Sequence, residues 1–84
     1  MRTFQQILEA AGYETDTHVG PEAGSVECLS VGLYGDGRLG HLFADVVSAM
    51  GPGENDIVSS ALRRMRTDPL GCGIAVYFPG IPRS

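Results

Sequence analysis

The chain has 84 residues, of which 43% are hydrophobic and 19% charged, and its formal net charge is −4 at pH 7. This size gives one small domain with a thin core, and the composition excludes the low hydrophobicity and high net charge of disordered proteins. No apolar run approaches the roughly 18–20 residues of a membrane span, and the amphipathic N-terminus does not resemble a signal peptide. We therefore expect a soluble, cytoplasmic protein.

The first predicted element is a short helix over residues 4–11. Thr3 and Gln6 match a capping box, with Thr3 as the N-cap residue. The apolar residues that follow recur at the spacing of one helical face. Gly12 is well placed to end the helix in a left-handed cap.

A β-hairpin is predicted next. Residues 13–19 alternate aromatic or β-branched residues with polar ones, which favours a half-exposed edge strand. Residues 20–24 have the composition of a turn. Residues 25–34 predict a stronger strand whose two faces are both partly covered, and we expect the two strands to pair.

The most regular pattern in the chain predicts a second helix that packs on the core. It follows the strand break at residues 35–37 and stops at residues 51–53. Its apolar positions recur every three or four residues: Leu39, Leu42, Phe43, Val46, Val47 and Met50.

A third helix is predicted to begin at Asn55 or Asp56, either of which can cap it. Its apolar stripe covers residues 57–65, and Pro69 and Gly71 are expected to end it. Three arginines are predicted in its last turn, where the helix dipole favours cations: Arg63, Arg64 and Arg66.

The last predicted element is a strand over residues 72–78, mostly apolar and therefore expected at the centre of the sheet. The order of elements is α-β-β-α-α-β. This order predicts an α+β fold in which residues 1–84 form a single domain, with a three-stranded sheet covered by helices.

A glycine-rich motif lies between the second strand and the second helix. Gly35, Gly37 and Gly40 form a G-x-G-x-x-G, and the segment 31–51 resembles the first strand-turn-helix of Rossmann dinucleotide-binding domains. The resemblance implies phosphate binding at this turn, although a helix is predicted where that family has its second strand. The alternative is a turn that packs a strand tightly against a helix.

The chain lacks the residue patterns of common reaction centres. His18 and His41 do not have the spacing of metal ligands, and no serine lies in a nucleophile elbow. We expect no catalytic residue, no metal and no cofactor, and hence no enzyme. Cys28 and Cys72 are either reduced, buried thiols or a disulfide that closes a long loop.

Two further hypotheses about function rest on the arginines and on the acids. Arg63, Arg64 and Arg66, on the second of two consecutive helices, suggest a helix-turn-helix that binds nucleic acid, or an anion site. The net negative charge of the chain disfavours nucleic acid as a partner. Residues 1–62 carry nine acids against two arginines, whereas residues 63–84 carry four arginines against one acid.

This uneven charge predicts a non-enzymatic protein-interaction module that covers a basic surface on a larger partner, as a stoichiometric inhibitor or adaptor. In size and charge alone the chain is similar to phage-encoded inhibitors of bacterial defence such as anti-CRISPR proteins. The exposed strand at residues 13–19 offers strand addition as a second mode of contact, and it is compatible with a homodimer. The predicted contact residues are all acidic: Glu14, Asp16, Glu22, Asp36, Glu54 and Asp56.

Overall fold

The computed structural model describes residues 2–18, 28–34, 38–71 and 73–81, and these residues form the expected α+β fold. Three helices pack on one face of an antiparallel sheet. The elements in chain order are α1 (Phe4–Ala10), β1 (Asp16–His18), β2 (Cys28–Tyr34), α2 (Arg38–Ala49), α3 (Asn55–Arg64), β3 (Arg66–Leu70) and β4 (Gly73–Phe78).

The strands of the sheet follow the order β1-β2-β4-β3, and each neighbouring pair is antiparallel. The predicted hairpin of β1 with β2 and the central position of the last strand are both confirmed. The register places Asp16 opposite Ser30, Ser30 opposite Tyr77, and Tyr77 opposite Arg66. β1 and β3 are therefore the two edges of the sheet.

β3 is a fourth strand that the sequence did not predict. Arg66 was expected in the last turn of α3 but begins β3 instead, because Met65 leaves the helix with φ −57° and ψ 138°. Pro69 was expected to end the helix but lies within β3, opposite Ile74. An edge strand accepts proline where the missing N–H would point to solvent.

The core lies between the helices and the inward face of the sheet. Alternate residues of β2 point inward, which fits the side-chain period of two along a strand. Phe4 of α1 meets Phe78 of β4 edge to face, with ring centroids 4.8 Å apart. The largest fully buried aliphatic side chains are Ile7, Leu8, Leu29, Leu42, Val46 and Val76, together with the nearly buried Val31.

The observed cap of α1 agrees with the prediction from the sequence, whereas that of α3 differs from it. The capping box of α1 is formed between Thr3 and Gln6, and Gly12 follows the helix with a φ of 96°. The N-cap residue of α3 is Glu54, one residue before the expected position, and its side chain makes no capping hydrogen bond.

Only part of the apolar face of α2 is buried against the core. Leu42 and Val46 are completely buried, as predicted. Phe43 and Val47 were expected in the core, but they are 37% and 51% exposed. Their positions are displaced around the helix from the buried stripe, so they lie at and beyond its border.

Several predictions concern residues outside the described part of the chain. They are the turn at residues 35–37, the acids Glu22 and Asp36, and Cys72. The side chain of Cys28, its candidate disulfide partner, is likewise outside the described part. Within the described ranges, no helix is long and apolar enough to cross a membrane.

Candidate functional site

A group of acidic side chains lies around the turn that leads into β1, and we name it the acidic edge. Its four members are exposed: Glu9, Glu14, Asp16 and Asp45. Three of them belong to residues 9–18, a segment that contains neither lysine nor arginine. The fourth, Asp45, comes from α2 and is joined to the turn by Tyr13. Such a concentration of one sign of charge attracts cationic groups.

Side-chain and backbone hydrogen bonds fix the turn that carries the acidic edge. Tyr13 donates its N–H to the carbonyl of Leu8 at 3.0 Å, and its hydroxyl to Oδ2 of Asp45 at 2.6 Å. Gln5 donates through Nε2 to Oγ1 of Thr15 at 2.9 Å. The turn is thus held by both α1 and α2, which reduces the ordering that binding would otherwise cost.

A depression of about 480 Å³ lies beside the acidic edge. This volume is within the range of pockets that hold a small ligand or part of a peptide, roughly 300–1,000 Å³. The depression extends from the turn to the middle of β2, so carboxylates and sheet backbone border one space. The described residues that line it are Gly12, Tyr13, Glu14, Thr15, Asp16, Gly32 and Leu33.

The depression borders a stretch of β2 that β1 is too short to cover. The ladder between the two strands stops at the pair of Asp16 and Ser30, so the second half of β2 has no strand partner on that side among the described residues. Leu29 donates its N–H to the carbonyl of Ile81, on the side of β4. Because this direction alternates along a strand, the N–H and C=O of Gly32 point away from β4, into the gap.

Glu54 was predicted as a contact residue, but it lies buried where the three helices meet. Its carboxylate accepts two hydrogen bonds from the guanidinium of Arg2 and one from the N–H of Gly51. These bonds lower the pKa of Glu54 to about 2, and the same ion pair raises the pKa of Arg2. A carboxylate engaged in this way is not available to a partner, so we leave Glu54 out of the contact surface.

The other predicted acids are not all brought together. Glu14 and Asp16, which Thr15 separates in the chain, are both exposed at the acidic edge. Asp56 is exposed in the first turn of α3, where the helix dipole stabilises a carboxylate. The first turn of α3 follows Glu54, and Glu54 pairs with Arg2, which lies just before the start of α1. The acidic edge lies at the other end of α1. Seven helical residues separate the two places by about 10 Å.

Three exposed arginines at the junction of α3 with β3 form a second group, which we name the arginine end: Arg63, Arg64 and Arg66. Arg66 donates through Nη1 to the carbonyls of Arg64 and Met65, at 3.2 and 3.0 Å. The guanidinium of Arg64 lies over the turn at Gly80, where an added Cβ would be 2.9 Å from Nη1. Three strand spacings, about 14 Å, separate this edge of the sheet from β1.

The glycine motif contributes only Gly40 to the described residues, as an exposed position in α2. α2 leads into α3, as predicted, and the described strands pair only antiparallel. Among the residues that the structure describes, no group of three or more histidine, cysteine or acidic side chains is placed to hold a metal ion.

Comparisons of the chain with protein-family models, with curated proteins and with solved structures find no match. Function is therefore inferred from geometry and charge. Sequence reasoning missed the parts played by Tyr13, Asp45 and Gly32. Tyr13 and Asp45 form a hydrogen bond although 32 positions separate them in the chain. The exposure of Gly32 depends on where β1 ends. Local sequence patterns could therefore not identify these residues.

Proposed function

We propose that this chain is a small, non-enzymatic protein-interaction module that binds a basic surface of a larger partner through the acidic edge. It acts by occupying that surface, as a stoichiometric inhibitor or adaptor. The observation that carries the proposal is the strand order, which places β1 and β3 at opposite edges of the sheet. The acidic edge lies at the first and the arginine end at the second.

This separation of charge has a physical consequence for binding. The described residues carry acids at one edge and arginines at the other, and such a separation orients a molecule as it approaches a charged partner, so more encounters are productive. The hydrogen bonds from Tyr13 and Gln5 keep the acidic turn in one conformation before contact. Both effects favour rapid association with a basic surface.

A charge reversal at the acidic edge tests the proposal. The partner is first isolated from the source cells with the immobilised wild-type chain, and association is then measured for Glu14→Lys. Asp56→Lys is the matched control, because both acids are exposed and both variants change the net charge equally. We expect Glu14→Lys to slow association about tenfold at low salt, and Asp56→Lys to have a much smaller effect.

The salt dependence of the same rates completes the test. Between about 50 and 300 mM salt, wild-type association should slow markedly, and that of Glu14→Lys should change much less. Equal rates for wild type and Glu14→Lys, or an equal loss in the Asp56→Lys control, would show that the acidic edge is not the contact surface.

The arginine end supports a second candidate function, nucleic-acid binding. Its three guanidinium groups are exposed at one corner of the molecule, and phosphate neutralisation dominates such binding. A DNA mobility shift at low salt that disappears in the double variant Arg63→Ala, Arg64→Ala would favour this function. Without such a shift it is excluded.

Phosphate or dinucleotide binding at the turn of Gly35, Gly37 and Gly40 is a third candidate, supported by the sequence motif alone. A nucleotide that binds the folded chain must raise its melting temperature by mass action. A rise with NAD or ATP, absent in the variant Gly37→Val, would favour this function over the first proposal.

A further inference from the structure

Among the residues that the structure describes, the sheet has an unfilled position next to the acidic edge. β1 covers only the first three residues of β2, up to the pair of Asp16 with Ser30. Beyond that pair, the backbone of Gly32 faces the depression, and no hydrogen bond from the described residues 12–15 reaches it. A glycine within a strand often marks a place where another backbone approaches closely.

We propose that this position receives an extended, basic segment of the partner, which adds to the edge of β2 in line with β1. The inference rests on the proposed function, because it names the form in which the basic partner is recognised. The backbone of the segment exchanges hydrogen bonds with Gly32, and its cationic side chains lie beside the acidic edge.

The register indicates which residues such a segment needs. Directly paired residues in a sheet share a face, so a residue opposite Gly32 lies on the same face as Ser30 and Asp16. Gly32 is exposed and has no side chain, so a cationic side chain opposite it lies beside the acidic edge. The residues to either side lie on the face of Val31 and Leu33, which is apolar and buried. The segment therefore alternates basic and apolar residues.

The edge of the sheet at β3 is less suited to an added strand. The pairing of β3 with β4 directs the backbone of Arg66 and Asp68 toward β4 and that of Pro69 outward. Proline has no N–H to offer there, and proline with exposed charge commonly protects the edges of natural sheets. Among the described residues, the gap beside Gly32 combines an outward N–H with a depression bordered by Glu14 and Asp16.

Three hexapeptides separate strand addition from simple charge attraction. The first alternates arginine with valine, the second has three arginines followed by three valines, and the third alternates glutamate with valine. With fluorescently labelled peptides and the full chain, we expect the first to bind about tenfold more tightly than the second, and the third not to bind.

The amide of Gly32 gives a direct readout in the wild-type chain. In the free protein its hydrogen exchange should be faster than that of Val31 and Leu33, whose N–H groups point toward β4. Saturation with the alternating arginine–valine peptide should slow the exchange of Gly32 at least tenfold. The peptide with three arginines followed by three valines should leave the exchange rate of Gly32 unchanged.

Replacement of the donor tests the same bond. Gly32→Pro removes the outward N–H without removing a hydrogen bond to β4, and Gly32→Ala keeps that N–H. We expect Gly32→Pro to bind the alternating peptide about tenfold more weakly than Gly32→Ala. If Gly32→Pro does not fold, the amide hydrogen exchange of Gly32 in the wild-type chain tests strand addition instead.

The outcomes distinguish this inference from the proposed function. Equal binding of the two basic peptides, with no change in the exchange of Gly32, overturns strand addition and leaves recognition by charge intact. A partner that binds with the expected salt dependence while no peptide binds also overturns it. Absence of both kinds of binding overturns the proposed function as well.

Discussion

Arg2 joins the ends of all three helices. It precedes α1, donates to the carbonyl of Ala49 at the end of α2 at 3.0 Å, and pairs with Glu54 at the start of α3. A cation at the carbonyl end of a helix and a satisfied carboxylate both favour the folded state. The pair is half-shielded, because the side chain of Arg2 is 39% exposed and that of Glu54 only 9%.

The stability of the fold should depend on pH through Glu54. Its folded pKa of about 2 lies below the ordinary value of 4.5, so its contribution is complete above pH 4.5 and is lost as the pH falls toward 2. Urea unfolding at about pH 7 should show Glu54→Gln to be less stable than wild type, and the difference should shrink at about pH 3. A difference that stays constant over this range would contradict the assigned ion pair.

A side chain at Gly80 should strain the turn after β4. Gly80 has a φ of 80°, and its added Cβ would press on Arg64. Gly12 is the control, with a φ of 96° and no atom within 4 Å of an added Cβ. Each alanine variant should lose roughly 1–2 kcal/mol of unfolding free energy for the left-handed backbone. Gly80→Ala should lose about as much as Gly12→Ala in urea unfolding, because the guanidinium of the exposed Arg64 can move aside. A much larger loss at Gly80 would show that Arg64 is held in place.

At the scale of elements, local signals predicted what depends on neighbours in the chain. The capping box of Thr3 and Gln6 was correct because its bonds span three residues. β3 was missed because Pro69 resembles a helix terminator, and only its pairing with β4 makes the segment a strand. Glu54 was predicted at the surface because its partner, Arg2, lies 52 positions away.

The border of the core on α2 can be tested with adjacent valines. Val46 is completely buried and Val47 is 51% exposed, although both belong to the same predicted apolar pattern. Val46→Ala should lower the free energy of unfolding by about 2 kcal/mol, through lost burial and an incompletely filled cavity. Val47→Ala should change it by less than about 0.5 kcal/mol. Equal losses in urea unfolding would place Val47 in the core after all.

At the scale of the whole molecule, topology turns a sequence asymmetry into a spatial one. The excess of acids in residues 1–62 was visible in the chain, but the gathering of Glu9, Glu14, Asp16 and Asp45 at the edge opposite the arginines depended on the order of the strands. The sequence predicted Glu14 and Asp16 as contact residues. It could not indicate Asp45, which Tyr13 brings to the same surface, or the gap in the sheet beside them.

The most direct measurement is a map of amide chemical shifts as the uniformly ¹⁵N-labelled chain is titrated with the alternating arginine–valine hexapeptide. The account predicts that the largest changes fall on Glu14, Asp16 and Gly32, and that Arg63 and Arg64 are unaffected. Changes spread evenly over the molecule, or centred on the arginine end, would contradict recognition of a basic partner at the acidic edge.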